Sequence, residues 1–135
     1  MDTAMPALAA KVYLVDAAVE VRRRLARLLD AIAGVEIAGE AEDGDAALAG
    51  IRASEADIVV LDLRLADGNG LELISTLSRL HPAVVKIVLT NHIARAFRDA
   101  CQAAGADFFF DKTSEFDAAC RTIAGIAEAQ RAPRA

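Results

Sequence analysis

The sequence has no apolar run of the roughly 18 consecutive residues needed to cross a bilayer, although 55% of its residues are apolar. No basic n-region precedes an apolar segment in Met1-Asp2-Thr3-Ala4-Met5-Pro6, so the expectation is a cytoplasmic protein with no membrane role. Cysteine is scarce. Cys101 and Cys120 fall at apolar helical positions rather than in a CxxC pair, which points to small core residues and away from a disulfide framework or zinc site. Basic charge is also short: 15 Lys and Arg stand against 20 Asp and Glu, a formal charge of −5. That balance argues against nonspecific nucleic-acid binding. One basic patch exists, Arg22-Arg23-Arg24 with Arg27. A solvated helix face explains it, and a partner-docking surface is the alternative.

What is present is a strict alternation over 135 residues, enough for one domain with its own core. Lys11 to Asp16 reads as a strand. Val19 to Ala33 reads as a helix, with Val21, Leu25, Leu28, Leu29 and Ile32 on one face and Gly34 past its end. Val35 to Ala41 is a second strand and Gly44 to Ser54 a second helix. The run Asp57 to Leu63 is apolar on both faces, as a central parallel strand covered by helices should be. Gly70 to Leu80 carries the stripe Leu71, Ile74, Leu77 and Leu80, and His81-Pro82 then breaks the helix. Val84 to Thr90 is the fourth strand. Ile93 to Ala104 is the fourth helix, with Ile93, Phe97 and Cys101 expected inward. Ala106 to Asp111 is the fifth strand, and Phe116 to about Ala129 the last helix, with Ser114 and Asp117 resembling a capping box. Five βα units exclude an eight-fold barrel. They predict an α/β, flavodoxin-like, doubly wound parallel sheet in the order 2-1-3-4-5, occupying residues 11–129 between flexible tails 1–10 and 130–135.

In that order, ligands belong in the crevice at the carboxyl ends of the strands. The first strand ends in Asp16, the third in Asp62, the fourth in Thr90, and Lys112 follows the fifth. Each residue alone has an ordinary explanation, such as a helix cap, a strand threonine or a solvated lysine. Together they bring two carboxylates, a hydroxyl and an ammonium to one place. Phosphoryl transfer to a carboxylate suits this set. Asp62 would be the nucleophile, and Mg²⁺ would sit between Asp16 and Asp62 to neutralise the incoming group. Lys112 and Thr90 would hold phosphoryl oxygens.

The segments Val12-Tyr13-Leu14-Val15-Asp16, Ile58 to Glu72, Ile87-Val88-Leu89-Thr90 and Gly105 to Lys112 make the chain resemble a receiver domain of the two-component response regulators. The likeness runs from about Lys11 to Ala129. It implies that Asp62 is the phosphoacceptor, Asp16 an acidic metal ligand, Thr90 the switch hydroxyl and Lys112 the phosphate-binding lysine. It further implies that the backbone carbonyl of Arg64 ligates the metal. The partners implied are a histidine kinase or phosphotransfer protein and a downstream protein. Phosphorylation would draw Thr90 inward and repack the face of the fourth helix, fifth strand and last helix, which could also serve a homodimer. The domain would be a signalling phosphoacceptor rather than an enzyme.

The chain departs from that family at several positions. Ala17 stands where the family usually has a second acidic residue that ligates the metal, which should weaken Mg²⁺ binding; Glu20, a turn later, is a candidate substitute. Asn91 follows Thr90 where a smaller residue is common. Thr113 replaces a frequent proline, so a trans bond is expected there. Phe109 occupies a position often held by tyrosine, Ala66 that of a turn proline, and His92 is a loop histidine beside the switch. Two readings stay open: a working phosphoacceptor with an impaired metal site, or a pseudo-receiver that binds proteins without phosphorylation. A phosphatase on this fold would want an aspartate where Arg64 stands. A flavin carrier would want a glycine- and hydroxyl-rich loop where Ala17-Ala18-Val19-Glu20 stands. Only the last helix and the tail follow Lys112, so the expectation is a stand-alone receiver or one domain of a longer regulator.

Overall fold

The computed structural model describes residues 9–68 and 70–131. Strands and helices alternate as β1 (Ala10–Val15), α1 (Val19–Asp30), β2 (Val35–Ala41), α2 (Gly44–Ser54), β3 (Ile58–Leu61), α3 (Gly70–Leu80), β4 (Val85–Thr90), α4 (Arg95–Ala104), β5 (Phe108–Asp111) and α5 (Phe116–Arg131). All strands are parallel, in the order β2-β1-β3-β4-β5. This is the flavodoxin-like arrangement expected.

Strand periodicity builds two cores, one on each face of the sheet. Val59, Leu61 and Val88 pack with Ala47 and Ile51 of α2, Ile74 and Leu77 of α3, and Cys101 of α4. Their neighbours Ile58, Val60, Ile87 and Leu89 point the other way, against Leu25 and Leu29 of α1 and Ala119, Ile123 and Ala127 of α5. Because both faces are covered, the central strands carry no polar alternation.

The strands are started by a device used twice. After α2 the backbone turns through Glu55 at φ 55°, and after α4 through Gly105 at φ 110°; each is followed by Ala-Asp. Asp57 donates its N–H to the Lys11 carbonyl (2.8 Å) and accepts the Lys11 N–H on its side chain (2.8 Å). Asp107 does the same to Lys86 of β4, at 2.9 and 2.8 Å. Each aspartate thus closes a ring that fixes the register of the strand it opens.

Several boundaries differ from expectation. Ala10, assigned to the tail, is buried and opens β1, and α5 continues through Arg131; the remaining tail residues 1–8 and 132–135 lie outside the described residues. Helix α1 stops at Asp30, short of Ala33. Helix α4 begins at Arg95, so Ile93 precedes it. Ile93 and Phe97, expected inward, are 46% and 42% exposed. The helix is anchored at its other end, where Cys101 is buried and the Ala104 carbonyl accepts a hydrogen bond from Ser78 of α3 at 2.9 Å. Leu80, at the end of the α3 stripe, is likewise exposed. At α5 the capping position falls to Glu115, whose carbonyl accepts from Ala119 N (3.0 Å) and whose carboxylate accepts from Asp111 N (2.9 Å); the Ser114 box does not form. Among the described residues no helix is long and apolar enough to cross a membrane.

Candidate phosphoacceptor site

Register sets the site. Val15 of β1 pairs with Leu61 of β3, so Asp16 and Asp62 leave adjacent strands at the same level, at the point where chain order reverses. Thr90 is the last residue of β4 and pairs with Asp111 of β5. Lys112 comes next. All four expected residues are therefore brought together at the carboxyl edge.

Contacts are short and nearly dry. Asp16 is 4% exposed, Asp62 8% and Thr90 0%. The Lys112 ammonium donates to Asp16 Oδ2 at 2.7 Å and to Asp62 Oδ2 at 2.6 Å. The Thr90 hydroxyl donates to Asp62 Oδ1 at 2.6 Å, and the Arg64 N–H approaches the same oxygen at 3.4 Å. Asp62 is thus gripped on both oxygens. Burial by itself would push the Lys112 ammonium down, but hydrogen bonds and charge from Asp16 and Asp62 outweigh it, and its pKa lies above the ordinary lysine value. The ion triad holds one positive and two negative charges.

Thr90 already stands inward. Its oxygen also accepts the His92 N–H at 3.2 Å, so the residue after Asn91 helps orient it. The His92 ring packs edge-on to Phe97 at 5.6 Å. Both line a cavity of about 280 Å³ with Leu63, Arg64, Gly68 and Leu71 beside Asp62.

The loop under Asp62 depends on close approach. A Cβ at Gly70 would stand 2.5 Å from both the Asp62 carbonyl oxygen and Leu63 Cα, and the Gly70 N–H bonds the Leu63 carbonyl at 3.1 Å. Gly68 adopts φ 81°, a conformation costly for other residues. Glycine at both positions lets α3 start directly against the end of β3.

A clamp at Asp16 escaped the sequence reading. Asp16 Oδ1 accepts the Ala18 N–H at 2.8 Å, while its carbonyl takes Arg22 Nη1 at 2.5 Å. Arg22 Nε pairs with Glu40 of β2 at 2.8 Å. Arg22 is therefore no solvated surface arginine, and Arg24 lies over the Phe116 ring at 3.8 Å. Arg98 covers Phe109 similarly, at 4.4 Å.

As to metal, Ala17 is exposed and offers no side-chain oxygen. Glu20 is exposed on the first turn of α1, and among the described residues no group of three His, Cys, Asp or Glu converges. Asp16 and Asp62 supply two carboxylates sharing one ammonium, a set that fits a hydrated magnesium ion, since that cation takes one or two carboxylates and keeps its waters. Among the described residues no peptide bond is cis, so the bond before Thr113 is trans as expected.

Sequence and fold both recur among known proteins. The family model for the response regulator receiver domain matches residues 12–124. A DNA-binding transcriptional activator DevR/DosR of Mycobacterium tuberculosis is 38% identical over 99 residues, 73% of this chain and 46% of its own. A protein-glutamate methylesterase/protein-glutamine glutaminase of Carboxydothermus hydrogenoformans is 34% identical over 100 residues, 73% of this chain but 29% of its own. The chain thus spans less than half the length of these two relatives. The solved structure of a LuxR-family two-component response regulator from Aurantimonas sp. superposes with a TM-score of 0.82 at 30% identity, covering 93% of this chain and 89% of that one. With the family model matched over residues 12–124, this chain belongs to the response regulator receiver domain family of two-component signalling.

Proposed function

We propose that Asp62 accepts a phosphoryl group from the phosphohistidine of a histidine kinase or phosphotransfer protein, in the cytoplasm. The observation that carries this reading is the grip on Asp62: one oxygen against the Thr90 hydroxyl, the other against the Lys112 ammonium. A carboxylate oxygen attacks phosphorus, the new P–O bond forms as the P–N bond breaks, and the imidazole leaves with the electron pair. Lys112 follows one phosphoryl oxygen as a point charge and Thr90 donates to another. Asp16, Asp62 and the Arg64 carbonyl would hold Mg²⁺, which neutralises charge on the transferred group when bound. Ala17 leaves that site one ligand poorer, so the cation binds weakly. Phosphorylation acts through Thr90 to repack the face of α4, β5 and α5, where a downstream protein or a second copy docks. The domain signals, with self-catalysed phosphoryl transfer as its only chemistry.

Ala17 supports a second reading, a pseudo-receiver in which Lys112 permanently fills the acidic pair and partners bind without phosphorylation. Incubation with a small acyl phosphate and Mg²⁺, followed by intact mass, separates the two. The phosphoacceptor reading expects wild type to gain one phosphoryl mass, Asp62→Asn none, and Ala17→Asp to gain it at lower Mg²⁺. No gain in either wild type or Ala17→Asp sinks it and leaves the pseudo-receiver.

A further inference from the structure

Lys112 works at a distance from its own strand. Neighbouring strands lie about 4.8 Å apart, so β5 is about 10 Å from β3 and further still from β1. A lysine spans roughly 6 Å from Cα to Nζ, five bonds in zigzag. Yet Nζ touches both Asp62 at the end of β3 and Asp16 at the end of β1. With the aspartate side chains and one hydrogen-bond length added, an extended lysine on β5 spans to Asp62. It meets Asp16, one strand further, only if it leaves the backbone directed across β4, and something must set that direction.

Two bonds carry it over. The Lys112 N–H donates to the Thr90 carbonyl at 2.9 Å, extending the β4–β5 ladder by one step. One residue further out, the Thr113 hydroxyl donates to Asn91 Oδ1 at 3.0 Å. Asp111 supports the turn from behind, its carboxylate accepting the Thr113 N–H at 2.9 Å. Asn91 follows the threonine that touches Asp62, and Thr113 follows the lysine that does so. Both are exposed, so their bond contributes to no core.

We propose that the Asn91–Thr113 hydrogen bond is a strap that positions Lys112 over the acidic pair, making Asn91 and Thr113 positioning residues for phosphoryl transfer. The proposal rests on the reading of Asp62 as phosphoacceptor. The strap acts through the direction in which Lys112 leaves the backbone, and it ties the two loops that flank the acceptor to each other. Releasing it frees the ammonium to follow its own strand toward solvent.

The test uses Thr113→Val, which keeps the shape but removes the donor, Thr113→Ser, which restores the donor, and Asn91→Ala alone and combined with Thr113→Val. Phosphoryl gain from a small acyl phosphate is followed by intact mass at several donor concentrations. Thr113→Val should lower the maximal rate about threefold to tenfold, the range that one hydrogen bond's usual net worth spans, at unchanged half-saturating donor. Thr113→Ser should stay within about twofold of wild type on the same scale, and Asn91→Ala should add nothing in the Thr113→Val background. The second readout needs no phosphorylation: the ¹⁵N-resolved ammonium resonance of Lys112 should be sharp in wild type and Thr113→Ser and broadened by exchange in Thr113→Val. A Thr113→Val protein with wild-type rate or a sharp Lys112 resonance overturns the strap, as do additive effects of the two substitutions. A wild type that takes no phosphoryl group refutes the phosphoacceptor reading instead, and the resonance alone then decides the strap.

Discussion

Replacing Lys112 by methionine isolates the cost of the acidic pair. Methionine keeps most of the stem's apolar bulk but removes the ammonium that both carboxylates share. Asp16 and Asp62 each lie one hydrogen-bond length from that nitrogen, so their oxygens stand no more than two such lengths apart. At an effective dielectric of about 20, two unit charges about 5 Å apart repel by roughly 3 kcal/mol. Removing one partner of a buried ion pair typically costs about 3–5 kcal/mol, because it strands the other charge. Lys112→Met should therefore lose about 3 kcal/mol in urea denaturation at neutral pH. The control is Lys112→Met with Asp62→Asn, which removes one of the two repelling charges. That double variant should recover more than half of the loss, while Asp62→Asn alone should destabilise far less than Lys112→Met. A loss below about 1 kcal/mol, the scale of a surface pair, refutes the tight triad. So does a double variant that recovers nothing.

Three further outcomes follow from particular contacts. Gly70→Ala should destabilise by about 1–3 kcal/mol, as overpacking usually does, because its Cβ meets the backbone of Asp62 and Leu63; equilibrium denaturation with unchanged slope checks it. Asp107→Ala should cost about 1.5–3 kcal/mol, the value of a hydrogen bond to a charged group, and more than Asp57→Ala, because it also takes the nearby carboxylate from the buried Lys86 ammonium. Parallel urea midpoints rank the two. The third outcome is a pH dependence. The Lys112 pKa is raised in the folded protein, so its contribution is fully present below the unfolded lysine value near 10.4 and is lost as pH rises through the higher folded value. The stability gap between wild type and Lys112→Met should be flat through neutral pH and close above about 10.4; a gap that closes below pH 9 contradicts the upward shift.

Much of the sheet was legible because parallel strands buried on both faces announce themselves as apolar runs, as Ile58-Val59-Val60-Leu61 does. Once strand order followed from βα alternation, the carboxyl ends named Asp16, Asp62, Thr90 and Lys112 without further information. Helix α4 was harder. Ile93 and Phe97 have helical spacing with Cys101, yet only Cys101 is buried, since periodicity reports a face and not whether anything covers it. The Arg22–Glu40 clamp and the Asn91–Thr113 bond were hidden for a different reason: each joins polar side chains from separate elements, with no local pattern to mark them. Thr90's inward position was equally invisible, because a rotamer leaves no trace in a sequence. The twin Asp57 and Asp107 devices sat in plain view as Ala-Asp after a helix, and only the hydrogen bonds explain the repetition.

Borohydride trapping tests the central claim most directly. Reduction converts an aspartyl phosphate to homoserine, so wild-type protein treated with a small acyl phosphate and Mg²⁺, then reduced and mapped by peptide mass spectrometry, reports which carboxylate carried the group. Homoserine at position 62, and at no other aspartate, is the predicted result. Homoserine at Asp16 in place of Asp62, or a phosphorylated protein with no homoserine at all, would contradict the assignment of Asp62 as the acceptor.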